Sequence, residues 1–316
     1  MMNGKMLEVQ NIKKYFNTNQ GILQAIDDIS FDLDEGKTLG LVGESGCGKS
    51  TTGRVILRLL EPTDGKVFFD GTDIVSLNKQ DMRELRKKMQ IIFQDPFASL
   101  NPRKTVSQLI GEPLKWNKIH NNNKSKENHI VKLMETVGLA ERLKNDYPHE
   151  LDGGRRQRIG IARALALEPK LIICDEPVSA LDVSIQAQIL NLLKELQKEF
   201  GIAYLFITHD LSVVNHFSDD IAVMYLGKIV EKAPARELFY NPIHPYTKSL
   251  LSAIPIPDVD HHVERVILKG EITSPINMKD DCHFASRCNF VREECLKSNP
   301  KLSLRATDHF VACHRF

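Results

Sequence analysis

One octapeptide constrains this chain more than any other stretch: Gly43-Glu44-Ser45-Gly46-Cys47-Gly48-Lys49-Ser50. It has the form G-x-x-x-x-G-K-[ST]. Before it, Lys37 to Val42 reads as a short apolar strand. After it, Thr51 to Leu60 carries Val55, Ile56, Leu59 and Leu60 at helical spacing. Strand, glycine loop and helix N-terminus together form the geometry that holds a nucleotide's phosphates. The glycines let the backbone curl so that its N–H groups face inward. Lys49 is expected to reach the β- and γ-phosphates, with the Ser50 hydroxyl on Mg²⁺. A chance glycine turn would not need both flanks.

The chain has 316 residues, enough for one large α/β domain and an appendage, and a formal charge of +1, so nothing in the balance calls for nucleic acid. No apolar run reaches the roughly 18 residues of a membrane span. Met1 to Gln10 lacks the charged start and apolar core of a secretory leader, so none is expected.

Leu7 to Ile12 alternates as a strand and leads to Tyr15-Phe16 and a polar loop, Asn17 to Gly21. An aromatic there offers a face for an adenine ring, and equally suits a core or edge position. Ile22 to Leu33 is a second strand, and Lys66 to Asp70 a further one. Asp81 to Lys88 reads as a basic surface helix, and His120 to His129 as a surface loop without apolar period. Met89 to Phe93 is a strand ending at Gln94. Ile130 to Val137 is helical. Gly153-Gly154 lead into a helix from Arg156 to Leu167, a second glycine turn at a helix start and hence a second potential anion site.

Leu171-Ile172-Ile173-Cys174-Asp175-Glu176 is an apolar run ending in two carboxylates, as expected of a doubly buried strand in a mostly parallel sheet. Ligands of open α/β sheets lie at the C-terminal ends of strands. Asp175 is placed to hold Mg²⁺ through water, and Glu176 to take a proton from an attacking water. Ser179 to Asp182 opens a helix from Val183 to Phe200. Ile202 to Ile207 is another buried strand, and His209 just beyond it is a candidate γ-phosphate contact. Ile221–Tyr225 and Lys228–Glu231 form a hairpin across Leu226-Gly227.

Taken in order, these motifs resemble the ATP-binding subunits of ABC transporters from about Leu7 to Pro234. Gly43–Ser50 with Thr51 resembles the Walker A loop, and Phe16 the adenine-stacking aromatic. Gln94 is similar to the Q-loop glutamine and a Mg²⁺ contact, Leu151–Arg155 to the signature motif (Asp152, Gly153, Gly154), and Leu171–Glu176 to Walker B. Ser179–Asp182 is similar to the D-loop, with Asp182 near the nucleotide, and His209 to the switch histidine. Catalysis would fall to Glu176, His209 and Gln94. The resemblance implies a P-loop NTPase core of mostly parallel sheet, with an antiparallel β subdomain and a helical subdomain near 95–168. Residues 1–235 would form the ATP-binding domain, and 236–316 a small Cys-rich C-terminal domain.

It also implies ATP and Mg²⁺, a second ABC ATPase subunit (identical or different), two transmembrane permease subunits and, indirectly, an extracytoplasmic substrate-binding protein. The place would be peripheral, on the cytoplasmic face of the cell membrane. Gln94 to Arg103 and Asn241 to Leu251 resemble the peptide and nickel importers, which points to dipeptide or oligopeptide cargo with nickel as the alternative. A soluble ABC ATPase of DNA repair or translation is a different class. It is disfavoured because the chain has one cassette and no heptad run. A third reading is a metal-sensing regulatory subunit controlled by its tail.

The family signature is usually Leu-Ser-Gly-Gly-Gln, whereas here Asp152 and Arg155 replace the serine and the glutamine. A carboxylate facing a γ-phosphate adds like charge. Three explanations stay open: a weakened site in a heterodimer, a compensated Asp–Arg pair, or a sequence altered at these positions. Four of the six cysteines, Cys282, Cys288, Cys295 and Cys313, follow a C-x5-C-x6-C-x17-C spacing. Disulfides do not suit the cytosol. Zinc sites usually show closer cysteine pairs. The expectation is therefore a [4Fe–4S] cluster, then Zn²⁺, with four buried free thiols as the plain alternative. Either metal would staple a short tail, and nearby Arg287 and Arg292 would offset its charge.

Overall fold

The computed structural model describes residues 4–120, 122–254, 268 and 274–316. Met1–Asn3 of the leader expectation, and 255–267 and 269–273 of the C-terminal region, lie outside the described residues. In chain order the strands are β1 (Lys5–Thr18), β2 (Gly21–Asp34), β3 (Thr38–Val42), β4 (Asp64–Phe69), β5 (Thr72–Asp73), β6 (Met89–Ile92), β7 (Leu171–Asp175), β8 (Ala203–Thr208), β9 (Asp220–Tyr225), β10 (Lys228–Pro234), β11 (Ser303–Ala306) and β12 (His309–Val311). The α-helices are α1 (Lys49–Ile56), α2 (Lys79–Leu85), α3 (Pro96–Ser99), α4 (Val106–Trp116), α5 (Asn123–Thr136), α6 (Gly153–Leu165), α7 (Val183–Phe200), α8 (Leu211–Phe217), α9 (Ala235–Tyr240) and α10 (Pro245–Ser252). The chain divides into two compact units, Met1–Ser76 with Phe206–Phe316, and Leu77–Leu205.

The first unit holds an antiparallel sheet in the order β2-β1-β4-β5. Its long β1–β2 hairpin sets Phe16 opposite Leu23. The unit also carries the run β11-β12-β10-β9-β3, in which β3 and β9 are parallel. All five residues of β3 are buried, as a strand covered on both faces demands. Leu226 and Gly227 both take positive φ, of 41° and 84°, which closes the β9–β10 hairpin as a two-residue turn.

In the second unit β6 and β7 pair in parallel from Met89↔Leu171 to Ile92↔Cys174. Helix α6 is buried on most sides, including Arg156 and Gln157. Helix α7 buries Ile189, Leu192, Leu193 and Leu196 at helical spacing.

The structure corrects three sequence expectations. Helix α1 stops at Ile56 rather than running to Leu60. Most of the expected surface loop His120 to His129 belongs to α5. Asn122 caps that helix by accepting the Ser125 N–H at 2.7 Å, and the buried residues Ile130, Leu133 and Met134 begin only in its second half. A polar first half hides its period. The small separate Cys-rich domain is not supported either: 274–316 belongs to the same unit as β1–β5, because β12 hydrogen-bonds β10 and Ile276 bridges Leu23. Helix α4 was not anticipated, although its Thr105/Gln108 capping box is visible in the sequence.

Candidate functional site

In the first unit, β3 delivers the chain into Gly43, where φ is 155° and an added Cβ would lie 2.1 Å from the Met224 carbonyl oxygen. Gly48, at φ 110°, is equally constrained: its Cβ would lie 2.1 Å from the Ala25 carbonyl oxygen. Gly48 is also the N-cap of α1 and supplies no side-chain cap, so no side chain at that position competes with a ligand for the start of the helix. Lys49 is 4% exposed and donates to the carbonyls of Gly43 and Glu44 at 2.8 and 2.9 Å. The loop thus wraps its own ammonium group. Ser50 and Thr51 are half-buried. Burial raises the Cys47 thiol above its ordinary range, so this cysteine is a packing residue, not a thiolate.

Phe16 is half-buried on β1, with the Lys14 Nζ 4.8 Å from its ring centroid. Tyr15 is committed elsewhere, donating to Asp27 at 2.5 Å. Of the two aromatics, Phe16 is the one that no hydrogen bond commits. His209 follows β8 and is exposed.

In the second unit, the four apolar residues of β7 are fully buried and its last residue, Asp175, is 4% exposed. Glu176 adopts a φ of 49°, a left-handed conformation costing a non-glycine residue about 1 kcal/mol or more. Its carboxylate accepts a hydrogen bond from the Gln94 Nε2 at 2.9 Å. The structure thus brings together two sequence-predicted catalytic residues that lie 82 positions apart. Asp182 is exposed and is the N-cap residue of α7.

At the signature, Asp152 turns back on its own helix. Its Oδ1 accepts the Arg155 N–H at 2.8 Å, and its Oδ2 lies 3.4 Å from the Arg155 Nε. The contact is in keeping with an Asp–Arg pair, one of the three explanations that stood open, and does not choose between them. Beneath it, the Arg156 Nε donates to the Pro148 carbonyl at 2.6 Å and its guanidinium lies 3.7 Å from the Phe97 ring centroid. Sequence reasoning did not single out Arg156, and it named Arg287 only as a charge beside the cysteines. Tyr246 lay in plain view in the Asn241–Leu251 motif.

The metal expectation for the tail is not supported. Cys282, Cys288, Cys295 and Cys313 are free thiols, and among the described residues no three His, Cys, Asp or Glu side chains are grouped to hold a metal ion. Burial pushes the Cys282 thiol up to about 12, and the three other cysteines add to that. The four thiols are neighbours without forming a ligand set. The Cys288 sulfur instead accepts the Phe290 N–H at 3.3 Å.

A glycine loop around a buried lysine, a strand ending in Asp-Glu with its glutamine, and a capped glycine turn at a helix start define an ATP-binding cassette. The chain matches the family ABC transporter over residues 26–179, and the family oligopeptide/dipeptide transporter, C-terminal region, over residues 230–295. It is 50% identical to the oligopeptide transport ATP-binding protein AppF of Bacillus subtilis, covering 98% of this chain and 97% of the relative. It is 49% identical to OppF of Salmonella typhimurium, an oligopeptide transport ATP-binding protein, covering 98% and 95%. A cassette solved as a dimer in a post-hydrolysis state with ADP and Pi aligns at 29% identity and a TM-score of 0.66, over 73% of this chain and 99% of that one. The chain belongs to the ATP-binding subunits of ABC transporters, in the oligopeptide/dipeptide group, and is an ATPase of that family.

Proposed function

We propose that this chain hydrolyses ATP to drive import of dipeptides or oligopeptides through a membrane transporter. Residues 1–235 act as the motor and 236–316 as its C-terminal region. The chain pairs with a second such subunit, identical or different, and with two permease subunits supplied by an extracytoplasmic binding protein. Its place is peripheral, on the cytoplasmic face of the membrane. Among the described residues no helix is long and apolar enough to cross a membrane, in keeping with a peripheral subunit.

Gly43–Ser50 and Thr51 grip the polyphosphate through backbone N–H groups, and Lys49 meets its charge. Phe16 stacks on the adenine. Ser50, Asp175 and Gln94 are the groups assigned to Mg²⁺, which when bound neutralises charge on the β- and γ-phosphates. Glu176 takes the proton of the attacking water, Gln94 orients that carboxylate, and His209 contacts the γ-phosphate. Gly153, Gly154 and Asp182 face the partner subunit's nucleotide, and Asp152 caps the turn that presents the two glycines.

The observation carrying the hydrolytic reading is the Gln94–Glu176 hydrogen bond of 2.9 Å at the end of β7. Glu176→Gln in the assembled transporter is expected to keep ATP binding and lose roughly 10²- to 10⁴-fold in turnover, the scale of a general base. Undiminished hydrolysis removes Glu176 from this role. Uptake assays with labelled dipeptide, longer peptide and Ni²⁺ decide the cargo, and nickel uptake alone overturns the peptide reading.

The finer reading of the tail is a [4Fe–4S] cluster on Cys282, Cys288, Cys295 and Cys313, with Zn²⁺ as the alternative. Its support is the sequence spacing and the mutual proximity of the thiols, not their present arrangement. Iron, sulfide and zinc assays on anaerobically purified protein distinguish the two, and absence of all three removes both.

A further inference from the structure

The C-terminal segment reaches the phosphate loop directly. The Tyr246 hydroxyl, in the first turn of α10, accepts the Glu44 N–H at 3.0 Å. Arg287 closes a two-pronged ion pair on the Glu44 carboxylate, with Nη1 to Oε2 at 2.7 Å and Nη2 to Oε1 at 3.1 Å. The Arg287 and Glu44 side chains are 8% and 21% exposed. Both anchors seize the residue that follows Gly43, whose carbonyl, together with Glu44's, holds Lys49.

The anchors are themselves fixed. The Phe284 ring packs on Tyr225 and Tyr246 at centroid distances of 5.3 and 5.5 Å, and all three residues are buried. A second line runs from the His283 ring to the Leu226 carbonyl at 3.1 Å, and from the Gly227 N–H to the Cys47 carbonyl inside the loop at 2.9 Å. A third reaches the adenine side. The Pro275 carbonyl accepts the Gln24 N–H at 2.8 Å, and the Asn277 N–H donates to the Ile22 carbonyl at 2.9 Å. Both bonds lie on β2, next to Leu23, which pairs with Phe16.

We propose that Arg287 and Tyr246 are positioning residues for ATP, holding the entry of the phosphate loop through Glu44, so that the C-terminal segment sets nucleotide affinity. The reason is geometric. A loop of glycines has little stiffness of its own, and a planar guanidinium fork fixes a carboxylate in both direction and distance. Glu44 does not need to touch nucleotide for this. Its side chain is the handle by which the tail holds the loop. The proposal rests on the reading of Gly43–Ser50 as the ATP site.

The test uses the full chain, with a fluorescent ATP analogue for binding, and the assembled transporter for kinetics. Arg287→Met keeps the aliphatic stem and removes the fork. It is expected to raise the KM for ATP about 5- to 20-fold, as the loss of roughly 1 to 2 kcal/mol of positioning would, with kcat within about twofold. Tyr246→Phe raises KM less, and Arg287→Lys falls between wild type and Met because an ammonium cannot grip both oxygens. Glu44→Gln with Arg287→Met is no worse than either single change, since the pair acts as a unit. Leu238→Ala, at a fully buried position of α9 outside these contacts, lowers the melting temperature without moving KM.

Unchanged KM in Arg287→Met, Tyr246→Phe and Glu44→Gln overturns the proposal, as does an equal KM rise in Leu238→Ala. If Arg287→Met does not fold, Arg287→Lys and Tyr246→Phe carry the test alone. Lys49→Ala serves as the separate control: undiminished analogue binding there refutes the ATP site itself, not the role of the tail.

Discussion

Replacing Asp152 separates a structural role from a functional one at the signature turn. The carboxylate is the N-cap of α6, accepting the Arg155 N–H at 2.8 Å. Losing such a cap to alanine costs about 1 kcal/mol, and loss of negative charge at a helix start adds a few tenths to about 1 kcal/mol. The Asp152–Arg155 ion pair adds little, because the two side chains are 61% and 48% exposed and water screens them. Asp152→Ala should therefore cost about 1.5 kcal/mol. At about 2.1 cal/mol/K of unfolding entropy per residue, a cooperative 316-residue chain loses roughly 2 °C in Tm.

Asp152→Ser keeps an oxygen for the same N–H and should stay within about 0.5 kcal/mol of wild type. Calorimetry at low and at high salt reads both variants. The cap survives salt, whereas the ion pair does not. A Ser variant that melts as low as the Ala variant refutes the capping argument. The double change Asp152→Ser/Arg155→Gln also removes the charge that opposes a γ-phosphate, so ATPase turnover of the assembled transporter should rise. Unchanged or lower turnover counts against that electrostatic cost.

Burial lowers His244 from the ordinary histidine range to about 3, and its Nδ1 accepts the Tyr246 N–H at 3.1 Å as the cap of α10. Between pH 6.5 and about 3 the unfolded chain binds a proton that the folded chain refuses. Stability should therefore fall with acid by up to about 1.4 kcal/mol per pH unit. Urea titrations at stepped pH measure that slope, and His244→Asn, which can still cap the helix, should flatten it by nearly one proton. Gly48→Ala forces a Cβ to within 2.1 Å of the Ala25 oxygen at a φ of 110°. It should abolish binding of the ATP analogue, and tight binding by that variant would mean the loop tolerates the displacement. Ile189→Ala empties a fully buried position in α7. It should cost about 2 to 5 kcal/mol in denaturant unfolding, and a loss below about 1 kcal/mol would show that the core collapses around the gap.

Residues 183–200 read correctly as one helix from the sequence because its apolar positions repeat along its whole length and Gly201 ends it in a left-handed cap. The strand before the phosphate loop, the Asp-Glu strand and the Leu226-Gly227 hairpin were equally legible. Each is a local pattern imposed by burial or by a turn with positive φ. Only the first half of helix α5 was hidden, because it is polar and rests on a cap. The cysteine spacing does not fix where the side chains point, and among the described residues no metal-holding group is formed.

The order of the nucleotide motifs was set by sequence alone, since gripping a polyphosphate takes consecutive backbone N–H groups followed by a lysine. Only the tertiary structure could decide that Gln94 meets Glu176, and that Tyr246 and Arg287 hold Glu44 across 202 and 243 residues. Those pairings depend on chain crossings brought about by packing, and no local pattern of residue types encodes which distant side chain arrives.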